Sequence, residues 1–247
     1  MEITYDNSER NVRNPSHPPK RVTTGESSTG EMGNLTFEVV PRDPKDMQRL
    51  RESKYRRLLA GSETAKNHYN LANVLAEQGL IDEAILHYRR ATALNPSLAQ
   101  AHFNLGNVLR GKGQIDEAIA ELREAVRAQP DHADAHVNLG NALKEKGNTR
   151  EALEHYAAAV ASDPRSALAH NSLGLARSES GDAKGAIDQF RAAIAIEPDN
   201  WASRFHFGNA LRANGDKDEA IVQYRRALAL RPDAREAREA LDALLAN

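Results

Sequence analysis

The chain has 247 residues, 40% of them hydrophobic and only 5% aromatic, so its core must be built mostly from small aliphatic side chains. The formal net charge is -2 with 28% charged residues, which excludes the broad basic surface of a dedicated nucleic-acid or anionic-membrane binder. The chain has no cysteine, which excludes disulfides, thiolate chemistry and cysteine-bound zinc.

The N-terminal 41 residues are polar, rich in Pro, Ser, Thr, Gly and Asn, and carry charges of both signs. This composition predicts a disordered arm over 1–41. The opening MEITYDNSER lacks the pattern of a signal peptide, and no apolar stretch is long enough to span a membrane, so we expect a cytoplasmic protein without membrane contact. The apolar run LTFEVV at 35–40 is the exception: it either touches the folded part or docks to a partner as a strand.

The segment 42–64 predicts an N-terminal capping helix. Its sequence KYRRLLA at 54–60 is similar to HYRRATA at 87–93, which belongs to the second helix of the repeat that follows. We therefore expect this segment to cover the first repeat in the way that a preceding repeat would.

A period of 34 residues organises the chain after this segment. Prolines recur at Pro96, Pro130, Pro164, Pro198 and Pro232, and glycines recur at Gly79, Gly113, Gly147, Gly181 and Gly215. Glycine permits a tight turn between two helices, and proline ends the second helix. The spacing predicts five stacked helix-turn-helix repeats, at 65–98, 99–132, 133–166, 167–200 and 201–234.

The final segment, 235–247, predicts a C-terminal capping helix. Leu241 and Leu245 continue the columns of the repeats that should face the core. Asp242 stands where a glycine or alanine would admit another helix, and a charge there suits a solvent-facing end of the array.

The repeats resemble the tetratricopeptide repeat family. In the second repeat Leu105, Gly106, Ala118, Leu122 and Pro130 stand at the spacing of that family's motif, and the match continues through all five repeats without an insertion. The resemblance implies an all-α, right-handed superhelix that binds other proteins. One departure is the tryptophan column of the family, which here holds His68, His102, His136, His170 and Arg204.

Asparagines recur on the first helix of several repeats, although asparagine is a poor helix former. One column holds Asn70, Asn104 and Asn138, and continues with Ser172 and His206. A second column holds Asn73, Asn107, Asn141 and Asn209, and is interrupted by Leu175. Beside them runs an apolar row of Tyr69, Phe103, Val137 and Phe205, broken by Asn171. On a helical wheel these side chains lie opposite the sister helix, so stacked repeats would align them along one groove.

Amide side chains offer both a donor and an acceptor, which suits the backbone of an extended peptide. The pattern therefore favours a groove that binds extended segments of partner proteins, with Tyr69, Phe103 and Phe205 as its apolar part. In the other interpretation the asparagines bridge neighbouring repeats or face water. On the groove interpretation, alanine in place of Asn70, Asn104 and Asn138 should leave stability unchanged or higher.

The repeats are further similar to the superhelical region of protein O-GlcNAc transferase, through AHFNLGNVL at 101–109 and the stretch from Glu117 to Asn148. This resemblance implies that Asn70, Asn104 and Asn138 hold the backbone of a polypeptide. The catalytic domain of that family has no counterpart after residue 234, so we expect no enzyme activity and no cofactor. The second-ranked hypothesis is a non-catalytic accessory subunit of a separate glycosyltransferase.

Other motifs are weaker. The run GNVLRGKG at 106–113 departs from a phosphate-binding loop where Ser or Thr should follow. The histidine column is expected to pack rather than to bind metal, and His132 with His136 is a weak metal pair. An acidic-tail clamp would need lysines where Tyr69 and Phe103 stand. The fourth repeat departs most from its siblings, and Gly185 should weaken its second helix.

Overall fold

A computed structural model describes residues 44–246, and all regular secondary structure in this part of the chain is α-helical. The arm expected at 1–41, with its apolar run, lies outside the described residues. Twelve helices follow one another: α1 (Pro44–Gly61), α2 (Ala65–Glu77), α3 (Ile81–Leu94), α4 (Ala99–Gly111), α5 (Ile115–Ala128), α6 (Ala133–Glu145), α7 (Thr149–Ser162), α8 (Ala167–Glu179), α9 (Ala183–Ile196), α10 (Trp201–Asn214), α11 (Lys217–Leu230) and α12 (Arg235–Leu245). The all-α fold is confirmed. Hairpins 1 to 5 are the pairs α2–α3, α4–α5, α6–α7, α8–α9 and α10–α11.

Each hairpin turns at a glycine with a left-handed backbone. In the first turn φ of Gly79 is 79°, and the four equivalent glycines also have positive φ. The Leu80 N–H donates to the carbonyl of Leu75 at 2.9 Å, and the Gly79 N–H donates to that of Ala76 at 3.0 Å. This is the Schellman arrangement, in which residues with a Cβ are strained. The turn geometry therefore explains why glycine recurs with the period of the repeat.

Small residues let the two helices of a hairpin approach closely. A Cβ added to Gly140 in α6 would lie 2.6 Å from the Tyr156 ring in α7, and one added to Gly106 in α4 would lie 2.6 Å from Leu122 in α5. On the second helices, one column of alanines is fully buried: Ala84, Ala118, Ala152, Ala186 and Ala220. A few aromatic residues are therefore sufficient to fill the core, because each hairpin packs one large side chain against a small one.

The two end helices pack on the array in different ways. Tyr55 and Leu59 of α1 are partly buried against the core of hairpins 1 and 2. At the other end Leu241 of α12 is 9% exposed and packs into the core of hairpins 4 and 5. The expectation that Leu245 also faces the core is wrong, because its side chain is 55% exposed. Leu244 packs against the core in its place.

Candidate functional site

The side chains predicted to bind a peptide lie on the first helices of hairpins 1, 2, 3 and 5. We define the asparagine face as Asn70, Asn73, Asn104, Asn107, Asn138 and Asn141 of α2, α4 and α6; all six are partly exposed, as is Asn209 of α10. Asn73, Asn104 and Asn107 line one open depression of about 360 Å³, together with Tyr88 and Val108. The structure thus brings amides of hairpins 1 and 2 together at one surface.

Two of the asparagines bridge neighbouring repeats. The Asn104 amide donates to the side-chain carbonyl of Asn73 at 2.9 Å, and Asn138 donates in the same way to Asn107 at 2.8 Å. Alanine at Asn104 or Asn138 would remove a hydrogen bond between hairpins, so we no longer expect stability to stay unchanged or to rise at these two positions. Among the described residues the Asn70 amide makes no side-chain hydrogen bond.

Buried tyrosines hold the second asparagine column, a feature that the sequence interpretation missed. Tyr88 donates its hydroxyl to Asn73 at 2.6 Å, Tyr156 donates to Asn141 at 2.8 Å, and Tyr224 donates to Asn209 at 2.8 Å. Burial raises the pKa of Tyr88 and of Tyr156 to about 12, so both phenols remain neutral donors. The constant spacing of 15 residues between each asparagine and its tyrosine was the available signal.

Hairpin 4 lacks both partners of this hydrogen bond. Leu175 and Phe190 occupy the positions of asparagine and tyrosine. In hairpin 2 only the tyrosine is replaced, by Leu122, and Asn107 accepts from Asn138 instead. The polar pair is therefore exchanged as a unit in hairpin 4, and the asparagine face is continuous only over hairpins 1 to 3.

The aromatic side chains of the apolar row are only partly exposed, because each packs against a neighbouring ring. The Tyr69 ring lies 6.3 Å from the Tyr88 ring, and the Phe103 ring lies 4.9 Å from the His132 ring. Phe205 contacts Tyr224, with ring centroids 6.1 Å apart. The aromatic members Tyr69, Phe103 and Phe205 pack against buried clusters and keep only part of their surface exposed. Val137, the fourth member of the row, is buried.

Two cations near this face, Arg110 and Lys144, are paired with carboxylates. Arg110 contacts Glu145 of the next hairpin at 2.7 Å, and Lys144 contacts Glu179 at 2.6 Å. Each pair places one charge of each sign on adjacent hairpins, which leaves little net positive charge for an acidic partner. This pairing disfavours an acidic-tail clamp.

The histidine column joins hairpins instead of assembling a metal site. His102 and His136 each place Nε2 near a proline carbonyl of the preceding hairpin, at 3.1 Å from Pro96 and 2.9 Å from Pro130. His132 uses Nδ1 to accept from the Ala135 N–H at 3.3 Å, which caps α6. In the part of the chain that the structure describes, no group of three or more His, Cys, Asp or Glu side chains could hold a metal ion.

Two further motifs have structural explanations. Gly106 of the GNVLRGKG run lies inside α4 against Leu122, so this stretch is helix and hairpin turn. Between residues 44 and 246 no helix is both long and apolar enough to cross a membrane.

Stacked helical hairpins with a fixed period and small residues at the helix crossings define an α-solenoid, a class of repeat protein in which each unit packs only on its neighbours. Models of the tetratricopeptide repeat match residues 53–99, 69–133, 103–167 and 137–200, and a TPR repeat model matches 208–245. The chain belongs to the tetratricopeptide repeat family. The family predicted from the sequence is thereby confirmed.

Several solved structures are similar to the chain in fold. YrrB, described as a TPR protein with an unusual peptide-binding site, has a TM-score of 0.68 at 23% identity, over 77% of this chain and 99% of YrrB. MamA has a TM-score of 0.63 at 25% identity, over 68% of this chain and 92% of MamA. TTC0263, a thermophilic TPR protein of Thermus thermophilus, has a TM-score of 0.54 at 24% identity, over 74% of this chain and all of TTC0263. Comparison with curated protein sequences gives no match.

Proposed function

We propose that the chain is a protein-interaction scaffold whose asparagine face binds an extended segment of a partner protein. The observation that carries the proposal is the hydrogen-bonding capacity left on this face. Asn104 and Asn138 each use an amide N–H between repeats, and their carbonyl oxygens accept no hydrogen bond from the described residues. The Asn70 amide forms no hydrogen bond with the described part of the chain. An extended backbone offers N–H and C=O groups that match these free positions.

The chemistry of the face suits binding without catalysis. Its groups are neutral amides, phenols that stay protonated, and cations already paired with carboxylates. Such groups hold a polypeptide but exchange no proton near neutral pH. The peptide-binding site by which YrrB is described is compatible with this role for a protein of the same fold.

A narrower form of the proposal makes the chain a substrate-recruiting subunit of a separate glycosyltransferase. It rests on the similarity of the stretch at 101–109 to the repeats of O-GlcNAc transferase. Transfer of a sugar to a bound peptide by an added transferase, dependent on Asn70, would support this narrower role.

The test of the general proposal uses Asn70→Ala, because this variant removes a free amide without removing a hydrogen bond between hairpins. Peptides selected by the full chain from a phage-displayed library of unstructured segments are titrated against wild type and variant. We expect affinity to fall about 2- to 10-fold, the equivalent of about 0.5–1.5 kcal/mol for one neutral hydrogen bond. Binding should depend weakly on salt, since charge contributes little to it.

The matched control is Ser172→Ala, which lies in the same column outside the asparagine face. It should leave affinity unchanged and should raise stability by no more than about 0.5 kcal/mol through helix propensity. Equal affinity of wild type and Asn70→Ala for every selected peptide would show that the asparagine face is structural. Selection of only strongly acidic peptides, with affinity lost steeply in salt, would favour a charge clamp instead.

A further inference from the structure

The two helices of every hairpin are joined by side chains at the same two positions, 19 residues apart, but the chemistry differs from hairpin to hairpin. The partners are His68 and His87, His102 and Glu121, His136 and His155, His170 and Gln189, and Arg204 and Gln223. The four histidines on the first helices are all buried, with 6–8% exposure. The fold therefore repeats one joint with different chemical groups in it.

Hairpin 3 shows how the paired histidines share protons. His136 must carry a proton on Nε2, because this atom faces only the Pro130 carbonyl oxygen at 2.9 Å. Its Nδ1 lies 3.1 Å from Nδ1 of His155, so His136 accepts there and His155 donates. A proton added to Nε2 of His155 keeps this contact. A second proton, on Nδ1 of His136, would oppose two N–H groups across 3.1 Å.

Hairpin 1 has the same arrangement. Nε2 of His68 lies 3.3 Å from a carboxylate oxygen of Glu63, which can only accept, and Nδ1 of His68 lies 2.9 Å from Nδ1 of His87. Each folded pair can therefore take up one further proton without losing its contact, whereas two histidines in the unfolded chain take up two.

We propose that the paired histidines make hairpins 1 and 3 acid-sensitive joints, which loosen as the pH falls below the ordinary range of histidine while hairpins 2 and 4 stay closed. The inference goes beyond peptide binding and does not depend on it. It rests on the two head-to-head imidazole contacts and on their repetition at equivalent positions.

The charged groups around the pairs act in both directions. Around His87, Arg56 of α1 and the protonated form of His68 oppose a positive charge, whereas Glu83 favours it; burial is the largest effect, and the pKa of His87 is lowered. Glu63, beside His68, is itself paired with Arg90 at 2.8 Å.

Around His155 the same balance holds. Burial and then His136 lower its pKa, Arg123 of α5 adds to the lowering, and Glu151 and Glu154 oppose it. A lowered pKa means that the folded state binds fewer protons than the unfolded state below pH about 6.5. Stability is then fully present above that pH and is lost as the pH falls towards the folded-state pKa.

In hairpin 2 the effect of pH on stability has the opposite sign. His102 faces the Glu121 carboxylate at 2.7 Å with Nδ1 and the Pro96 carbonyl at 3.1 Å with Nε2, two acceptors that only the protonated imidazole satisfies together; the contact with Glu121 raises the pKa of His102. In hairpin 4 the Gln189 amide lies 2.8 Å from Nδ1 of His170, and an amide can turn either its oxygen or its nitrogen to the ring. That joint keeps its hydrogen bond whether or not Nδ1 carries a proton.

The chain therefore supplies its own replacement residues for the experiment. His87→Gln with His155→Gln installs the joint of hairpin 4 in hairpins 1 and 3. Thermal unfolding of the full chain is followed by circular dichroism at about pH 7.5 and about pH 5.5, between the ordinary pKa values of histidine and glutamate. We expect acidification to lower the Tm of wild type by about 2–4 °C for each pair, and the double variant to lose distinctly less.

Two controls make the outcome specific. His132→Gln removes an imidazole that belongs to no pair; its Nδ1 caps α6, so the variant should lose at most the contribution of that cap and keep the part of the acid response that the two pairs contribute. His206, whose pKa burial lowers, is present in all these proteins and contributes equally to each. His87→Glu with His155→Glu installs the joint of hairpin 2 and should reverse the response, so that its Tm rises on acidification.

Hydrogen exchange of the wild type locates the effect without any substitution. At the lower pH, amides of α2–α3 and α6–α7 should lose protection relative to those of α8–α9 in the same sample. An equal Tm loss in wild type and in the glutamine variant would overturn the proposal, as would uniform exchange across the hairpins. If the glutamine variant does not fold, the glutamate variant and the exchange data still test the proposal. A Tm of the glutamate variant that falls on acidification as in wild type would overturn it.

Discussion

Repeats 1 to 3 and repeats 4 to 5 share one spacing and one backbone but are joined by different side chains. The junction of repeats 2 and 3 has a hydrogen bond between Asn138 and Asn107, an ion pair between Arg123 and Glu151 at 2.6 Å, and a contact between Lys146 and Asp116. At the junction of repeats 3 and 4 the equivalent pairs are Ser172 with Asn141, Ala157 with Gly185, and Ser180 with Arg150. No hydrogen bond or ion pair joins these pairs among the described residues.

One ion pair, between Lys144 and Glu179, remains at that junction. The junction still packs, because Leu173 of α8 belongs to the same buried cluster as Leu139 and Tyr156. The comparison teaches that small residues and aliphatic columns suffice to stack the hairpins. The polar contacts between hairpins are a second layer, which the chain keeps in its first half and omits in the middle.

Hairpin 4 also changes a core column. Leu75, Leu109, Leu143 and Leu211 are buried at one position of the first helix, where hairpin 4 has Arg177. The Arg177 guanidinium leaves the core and donates to the Gly185 carbonyl at 3.3 Å. A Cβ on Gly185 would clash with the Asp182 carboxylate, which caps α9, and would lie 2.8 Å from that guanidinium. Gly185, expected only to weaken its helix, thus makes room for both Asp182 and Arg177.

The largest expected effect tests what the two regions share. Gly140→Ala and Gly174→Ala place a Cβ 2.6 Å from the Tyr156 ring and 2.9 Å from the Phe190 ring. Each should lower the free energy of unfolding by about 1–3 kcal/mol through overpacking. Gly111→Ala is the control, since nothing lies within 4 Å of its added Cβ. It should gain up to about 1 kcal/mol of helix propensity. Urea denaturation that shows the same sign for all three would contradict the packing.

The next prediction makes the second region resemble the first. Arg177→Leu restores the buried column and should raise the free energy of unfolding by about 1 kcal/mol, because burial of the leucine outweighs one long hydrogen bond and a 3.9 Å ion pair with Asp182 at the surface. Arg150→Leu is the matched control, since the Arg150 side chain is 96% exposed. Its effect should stay within about 0.5 kcal/mol. Lower stability of Arg177→Leu in urea denaturation would mean that the guanidinium contributes more than the buried leucine would.

A third prediction removes a polar contact that only the first region has. Asn138→Ala loses its hydrogen bond to Asn107 but gains helix propensity, so we expect a net loss of up to about 1 kcal/mol. Ser172→Ala, one repeat later, loses no hydrogen bond to a neighbouring hairpin and should gain up to about 0.5 kcal/mol. The two changes should therefore differ in sign in thermal melts. A gain of stability in both variants would show that the hydrogen bond between Asn138 and Asn107 does not stabilise its junction.

The smallest effect concerns His102, the charged joint of the first region. Its hydrogen bond to Glu121 raises its pKa against the effect of burial. The stabilisation is therefore fully present below the ordinary pKa of histidine and is lost as the pH rises through the raised value. His102→Gln should lower Tm more at about pH 5.5 than at about pH 8.5. His170→Gln should show a weaker pH dependence, and an equal one would exclude the Glu121 contact as the cause.

The sequence predicts the helices of this protein well because local rules determine them. Glycine and proline mark the turns, and a one-residue change in that spacing would have broken the pattern. It also identifies Gly106 and Gly140 as packing residues, since only a small side chain fits a close helix crossing.

The partners of polar side chains could not be predicted in the same way. Whether Asn104 faces a ligand or Asn73 depends on side-chain rotamers and on the stacking of successive hairpins, neither of which the periodicity contains. The same limit applies to His102 and Glu121, which meet only when two helices fold together. The prediction for Leu245 is wrong for a different reason. At the end of the array the column of apolar residues continues along the sequence, but no further helix follows to cover it.

The contacts between hairpins connect unlike positions of successive units at constant offsets. Asn104 reaches back 31 residues to Asn73, and Asn138 reaches back 31 residues to Asn107. Every such unit therefore encodes both the donor for its predecessor and the acceptor for its successor. Duplication of one unit within the gene would copy both halves of the interface at once, and deletion of one would rejoin compatible ends. The length of this array can thus change in evolution by whole repeats without the invention of a new contact.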